Sequence, residues 1–194
     1  MRNSILLLSL ISSAIAYGQF VQQAKVVASD AAAGDEFGYN NAVGIDGDYA
    51  VVGARYDDDG GNTAGSAYVF VRSGTSWSQQ AKLNASDAAG GDSFGMDVRI
   101  SGDYIIVGAP ENDDDGTDSG SAYIFVRSGS SWSQQAKLTA DDAAQSDYFG
   151  YEVDIDGDYA IVGAQNEDAN NVDGAGSAYV FVRSGTSWSQ QAKL

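Results

Sequence analysis

Four runs in the middle of the chain differ sharply in how they distribute apolar positions. Tyr104 to Ala109 (YIIVGA) and Ser121 to Val126 (SAYIFV) are apolar on both faces, whereas the runs on either side alternate. In Met96 to Ile100, Met96, Val98 and Ile100 fall on one side and Asp97 and Arg99 on the other. In Trp132 to Leu138, Trp132, Gln134, Ala136 and Leu138 oppose Ser133, Gln135 and Lys137. Alternation with period two predicts half-covered strands, and short continuous apolar runs predict strands covered on both faces. Ser101-Gly102 separates the first two runs and predicts a two-residue hairpin; Asp46-Gly47 and Asp156-Gly157 do the same in matching places. The pattern describes a four-stranded antiparallel sheet lying between sheets like itself.

Those sheets are present in the sequence. The segment from Phe94 to Leu138 has one copy starting at Phe37 and another at Phe149, so that Gly53, Gly108 and Gly163 recur at a period of about 55 residues, as do Trp77, Trp132 and Trp188. Such an array stacks identical units that cover one another's faces. The expected fold is all-β: three complete four-stranded antiparallel β-propeller blades at about 37–85, 94–140 and 149–194. An extra N-terminal strand is expected at 20–29, where FVQQAKVVAS matches the WSQQAKLNAS segment at Trp77. A solenoid would have a shorter period and no tight hairpins, and a sandwich would not repeat so closely. Closed propellers need about four to eight blades, so three predict an incomplete ring, one closed by a second copy, or a piece of a longer chain.

Two smaller features sit between the strands. The connector Ser86 to Asp92 recurs at Ser29 to Asp35 and Asp141 to Asp147; Asp87 is expected to cap one helical turn and Asp92 to hold its backbone donors. The first copy has two extra residues before Gly53, which predicts a bulge or longer strand near Asn40-Asn41.

Composition narrows the function. The chain has 24 Gly, one Pro, 11 Tyr, 7 Phe and 3 Trp, as an all-β protein with many turns would. Ten basic against 27 acidic residues give a net charge of −17, which repels nucleic acid and anionic membrane surfaces. Histidine and cysteine are absent, which removes disulfides, zinc and iron–sulfur ligand sets and any His-dependent triad. Arg2, the apolar run Ile5 to Ile11 and Ala14-Ile15-Ala16 predict a secretory signal over 1–16, with a run too short to span a bilayer. The mature chain, from residue 17, is therefore expected outside the cell, without membrane insertion.

Phe94-Gly95 and Val107-Gly108-Ala109-Pro110, with Phe37-Gly38 and Gly53-Ala54 and with Phe149-Gly150 and Gly163-Ala164, resemble FG-GAP repeats, the blades of the integrin α-subunit propeller and of many exported bacterial proteins. The resemblance spans residues 20–194 and implies a β-propeller with roles in adhesion or ligand binding, often with calcium in its loops. One departure matters: the family's Asp-rich calcium loop before the VGA strand is replaced here by the tight turns at Asp46, Ser101 and Asp156.

The acidic loops of this chain instead follow VGA. Asp57 and Asp59, then Asn112 and Asp114 with Asp118, have the alternate spacing that lets hard oxygens converge on calcium; Asp168, Asn170 and Asp173 in the longer third loop are weaker candidates. The competing reading is a solvated acidic turn. The same acids recur in every unit, unlike the paired carboxylates in dissimilar environments that a glycosidase requires, so no catalytic residue is expected. Trp77, Trp132 and Trp188 have the chemistry to stack on sugars but open the outer strand on its apolar side, which favours packing. Arg72, Arg127 and Arg183 are expected to pair with nearby acids, and Asn84-Ala85-Ser86 is a glycosylation sequon in a eukaryotic secretory pathway. The expectation is a secreted or cell-surface, non-enzymatic module binding a protein or glycan, with calcium in its loops. The alternatives are a purely structural repeat and, further off, a carboxylate-based glycan-cleaving enzyme.

Overall fold

The computed structural model describes residues 22–168, 172 and 174–194. The signal segment, the first two positions of the strand expected at 20–29, Asn170 and Asp173 lie outside the described residues. The remainder forms three sheets of four strands. Blade 1 contains β1 (Val43–Asp46), β2 (Tyr49–Ala54), β3 (Ser66–Ser73) and β4 (Ser76–Leu83). Blade 2 contains β5 (Val98–Ser101), β6 (Tyr104–Ala109), β7 (Ser121–Ser128) and β8 (Ser131–Leu138). Blade 3 contains β9 (Phe149–Asp156), β10 (Tyr159–Ala164), β11 (Ser177–Ser184) and β12 (Ser187–Lys193). Each sheet is an antiparallel meander in chain order, and the described residues contain no helix.

The doubly apolar strands separate their two faces between two cores. On β6 and β7, Ile105, Val107, Tyr123 and Phe125 point to blade 1, where they meet Val51, Val69 and Leu83. Ile106, Ala122 and Ile124 point the other way, to Val153, Ile155, Ala160 and Val162 of blade 3. Most of these side chains are fully buried, each worth roughly 1.5–3 kcal/mol relative to exposure. Three like sheets therefore lie face against face, each covering its neighbour.

Phe94-Gly95 and Phe149-Gly150 close the seams between blades. The Phe94 ring is fully buried and meets Tyr123 and Phe125 edge-on at 5.5 and 6.0 Å. Its backbone lies on the preceding blade, donating to the Ala64 carbonyl at 2.9 Å and bridging Gly65. Phe149 repeats this one blade on, with Ser119 and Gly120. A side chain at Gly53 would run into the Gly95 carbonyl, which is why that position of the VGA strand is glycine.

Four local expectations change. The outer strand does not alternate throughout: opposite Ile124 and Phe125 the partner jumps from Ala136 to Gln134, a bulge repeated in the other two blades. It sends adjacent glutamines different ways, Gln134 to the Ser86 amide and Gln135 to the Trp188 indole. The connectors form turns rather than helical ones. Asp92 does hold the turn, accepting from the Ala89 amide at 2.9 Å, but the Asp87 carboxylate is drawn 2.8 Å onto Lys137 and caps nothing. The two extra residues of the first copy make a turn in which the Ala42 amide reaches the Tyr39 carbonyl, and they lengthen no strand: β1 has four residues, as β5 has. Residues 22–28 pair with no strand among the described residues; Gln23 instead accepts from the Trp77 indole, as Gln80 does from Trp132.

Candidate functional site

In each blade the loop from the second to the third strand, the C-terminal end of the fourth strand and the incoming connector meet on one rim. There the sequence places acids in the loop, a lysine in the WSQQAKL strand and an aspartate in the connector. The three converge. In blade 1, Lys82 Nζ lies 2.8 Å from Asp30, 3.0 Å from Asp57 and 2.5 Å from Asp59. Lys137 takes the same position with Asp87 and Asp114 and donates to Asn112 Oδ1 at 3.1 Å. Lys193 does so with Asp142 at 2.7 Å and with Glu167.

Asp57 is the buried end of its cluster. Its carboxylate accepts from Ser66 Oγ at 2.8 Å, Tyr68 OH at 2.7 Å and the Asp59 amide at 3.2 Å. Burial opposes its charge, but the bonds from Tyr68, Lys82 and Ser66 outweigh this and hold its pKa below the ordinary aspartate value. Burial likewise opposes the Lys82 ammonium, and its bonds to Asp30 and Asp59 hold its pKa above the lysine norm. In blade 2 the equivalent of Asp57 is Asn112, and one partner is lost. Tyr123 OH is buried without an acceptor; burial raises its pKa, and the nearby Asp87 charge adds to the rise.

The fit to a divalent cation follows from this geometry. Asp30, Asp57 and Asp59 bring carboxylate oxygens within 4.8 Å of one another, an arrangement with the spacing to hold a metal ion. The cation the fold itself supplies there is the Lys82 ammonium, in contact with all three. Calcium wants six to eight oxygens, so it would have to displace the lysine and recruit further ligands.

The other candidates are scattered. Asp59 and Asp114 join the clusters through their lysines, while Asp118 accepts from Tyr148 OH at 3.5 Å, apart from Lys137. Asp168 accepts from the Gly174 amide at 2.8 Å. Sequence reasoning missed the lysines, the connector aspartates Asp30, Asp87 and Asp142, and Glu167. One signal was available: a lysine at the same place in every copy of a chain with ten basic residues.

Arg72, Arg127 and Arg183 pair with Asp48, Asp103 and Asp158 at the opposite rim. The tryptophans are half-buried packing residues. Trp132 and Trp188 meet Tyr49 and Tyr104 of the preceding blade edge-on, at 6.2 and 6.5 Å.

Four-stranded meanders stacked face to face, with Phe-Gly of one lodged against Gly-Ala of the previous, define a module of β-propeller blades. The family description FG-GAP repeat matches residues 20–70, 77–125 and 132–181, and the chain belongs to that family. The second and third matched segments begin in the fourth strand of one blade and end in the third strand of the next, so the family repeat straddles the seams. No curated protein matches the chain. No helix among the described residues is long and apolar enough to cross a membrane.

Proposed function

We propose that the chain is a non-enzymatic binding module of an extracellular or cell-surface protein, contacting a protein partner through the acidic rim. The observation carrying this reading is the threefold recurrence of one loop on one rim, its base fixed by a lysine and its tip, at Asp58 in blade 1 and at Asp113 and Asp115 in blade 2, left exposed. Rigid scaffolds that present exposed polar loops are the usual architecture of binding surfaces. Carboxylates at the tips select a basic patch on the partner and make encounter sensitive to salt. The lysine-anchored cluster recurs in all three blades instead of forming one unique site, which supports binding over catalysis. The test is surface binding of the chain to a panel of purified extracellular proteins and neutral polysaccharides at low and high salt. Rim binding predicts a basic protein hit weakened by salt and by Asp58→Asn with Asp113→Asn. A hit unaffected by both changes, or one confined to polysaccharides, refutes it.

The second reading is calcium dependence, favoured by the convergence of Asp30, Asp57 and Asp59. Calcium organising the rim predicts a rise in melting temperature at millimolar calcium that magnesium does not reproduce. An unchanged melt leaves Lys82 as the sole organiser.

A further inference from the structure

Each seam rests on a pair of glycines in the earlier blade. Phe94-Gly95 lies on Gly53 and Gly65, and Phe149-Gly150 lies on Gly108 and Gly120, with no room for a side chain at any of the four. The third such pair, Gly163 and Gly176 of blade 3, carries no Phe-Gly segment among the described residues. A Cβ at Gly163 would find nothing nearer than Glu152 at 3.7 Å. Two hollows of about 310 and 410 Å³ adjoin there, both lined by Gly163, Glu152 and Ala178. Conversely, Phe37-Gly38 of blade 1 is built like the lodged segments and has no blade beneath it among the described residues. Its amide reaches the Gly53 carbonyl at 2.8 Å, as Gly95 reaches Gly108 at 2.9 Å, and its ring meets Tyr68 and Phe70 edge-on.

Two further series break off at the same ends. Tyr49 stacks under Arg127, and Tyr104 under Arg183, at 4.3 and 4.4 Å; Tyr159 is 53% exposed with no arginine over it, and Arg72 has no ring beneath it among the described residues. Val98 and Ile100, like Val153 and Ile155, are buried by the preceding blade, whereas Val43 and Ile45 are 54% and 68% exposed; on blade 3, Ile161 is 39% exposed where Ile106 is covered. Phe37-Gly38, Arg72, Val43 and Ile45 on the blade 1 face thus match Gly163 with Gly176, Tyr159 and Ile161 on the blade 3 face.

We propose that the open face of blade 3 receives the open face of blade 1 of a second copy, head to tail, with Phe37-Gly38 lodged on Gly163 and Gly176. The occupant follows from continuity with the two seams already in the molecule, which use the same residues in the same order. Two copies supply six blades, within the range in which such rings close, and a heterologous contact that closes gives a finite assembly. Residues 22–26 of the arriving copy hold the place against its Trp77 that β12 of the receiving copy needs, so docking requires them to move aside. With −17 on each chain, association strengthens with salt. This pairing is independent of the rim reading.

The test is sedimentation equilibrium of the full chain and two single variants, Gly163→Val on one face and Ile45→Asp on the other. Both sites are open in the single chain, and an unchanged thermal melt of each variant as a monomer checks folding, with Gly163→Ala as the milder substitute. The wild type is expected to pair reversibly, each variant alone to remain single, and a mixture of the two variants to recover a one-to-one complex through the intact faces. A wild type that stays single at every concentration overturns the proposal. So does a variant that still pairs alone, which would mark a contact between like faces, and so does a mixture that remains single.

Discussion

Gly108 and Gly150 belong to neighbouring blades and lie backbone against backbone, so that a methyl group on Gly108 would run into the carbonyl oxygen of Gly150. The relationship turns two short motifs into one joint: the Gly-Ala of one blade is the floor on which the Phe-Gly of the next stands. Gly108→Ala must push the strands apart at a fully packed seam, at a cost of several kcal/mol. Gly163→Ala occupies the same position in a blade whose floor is bare, where the added carbon meets only ordinary contacts. We expect it to change stability by under about 1 kcal/mol. Urea unfolding of the two variants under conditions where the chain is single compares them directly; equal losses would show that the seam is not what fixes this glycine.

Lys82 is mostly buried, its side chain 17% exposed, and Asp57 beside it is 5% exposed. Lys82→Met leaves the buried carboxylate facing Asp30 and Asp59 without a counter-charge. Breaking a fully buried pair costs about 3–5 kcal/mol; with Asp59 largely in solvent and water able to enter, about 1–3 kcal/mol is expected here. The same variant frees the three carboxylates for a divalent ion, so its melt is expected to rise with calcium even if that of the wild type does not. A Lys82→Met protein as stable as its parent, and indifferent to calcium, would remove the cluster from any account of the rim.

Tyr68 and Tyr123 are repeat equivalents, both fully buried, yet only Tyr68 has an acceptor, Asp57 Oδ2 at 2.7 Å. Deleting the hydroxyl of Tyr68 strands part of a buried carboxylate and is expected to cost about 1–3 kcal/mol. Tyr123→Phe removes a polar group that has no partner to lose, so it should be neutral within about 0.5 kcal/mol or slightly stabilising. Paired denaturation curves decide the matter: a Tyr123→Phe loss matching that of Tyr68→Phe means the hydroxyl is bonded after all.

The fold was legible because each unit states it three times. The Asp-Gly and Ser-Gly turns, the doubly apolar Tyr104–Ala109 run and the period of the glycines all follow from local chemistry, and they reappear as hairpins, central strands and seams. The candidate site was half legible. Asp57, Asp59, Asn112 and Asp114 could be read from their loops, but Lys82 and Asp30 approach from a different strand and a different connector, and only the register of the folded blade brings them together. The outer-strand bulge was hidden for a similar reason: two adjacent glutamines look the same in an alternating pattern until the partner strand shows which is skipped.

Asp97 gives the pH dependence its sign. It is almost fully buried at the seam between blades 2 and 3, and burial pushes its pKa up to about 6, with Glu152 adding to the rise against the amides of Val153 and Val98 and the Arg99 guanidinium. Between an unfolded value near 3.8 and about 6, the folded chain keeps a proton that the unfolded chain has released, so stability falls as pH rises through that window. The size is about 3 kcal/mol at 1.36 kcal/mol per unit. Asp92 and Asp147, also raised by burial, act in the same direction. Asp30, Asp57, Asp87 and Asp142 are held low and act oppositely: their stability is present above the ordinary aspartate value and is lost as pH falls through their folded values. The two groups together place the maximum on the acid side of neutral. Asp97→Asn should flatten the decline between pH 4 and pH 7 by about 2 kcal/mol, whatever its effect on the absolute value. Urea midpoints for both proteins across that range settle it, since parallel curves would mean that Asp97 does not titrate in the window and that the seam tolerates its charge.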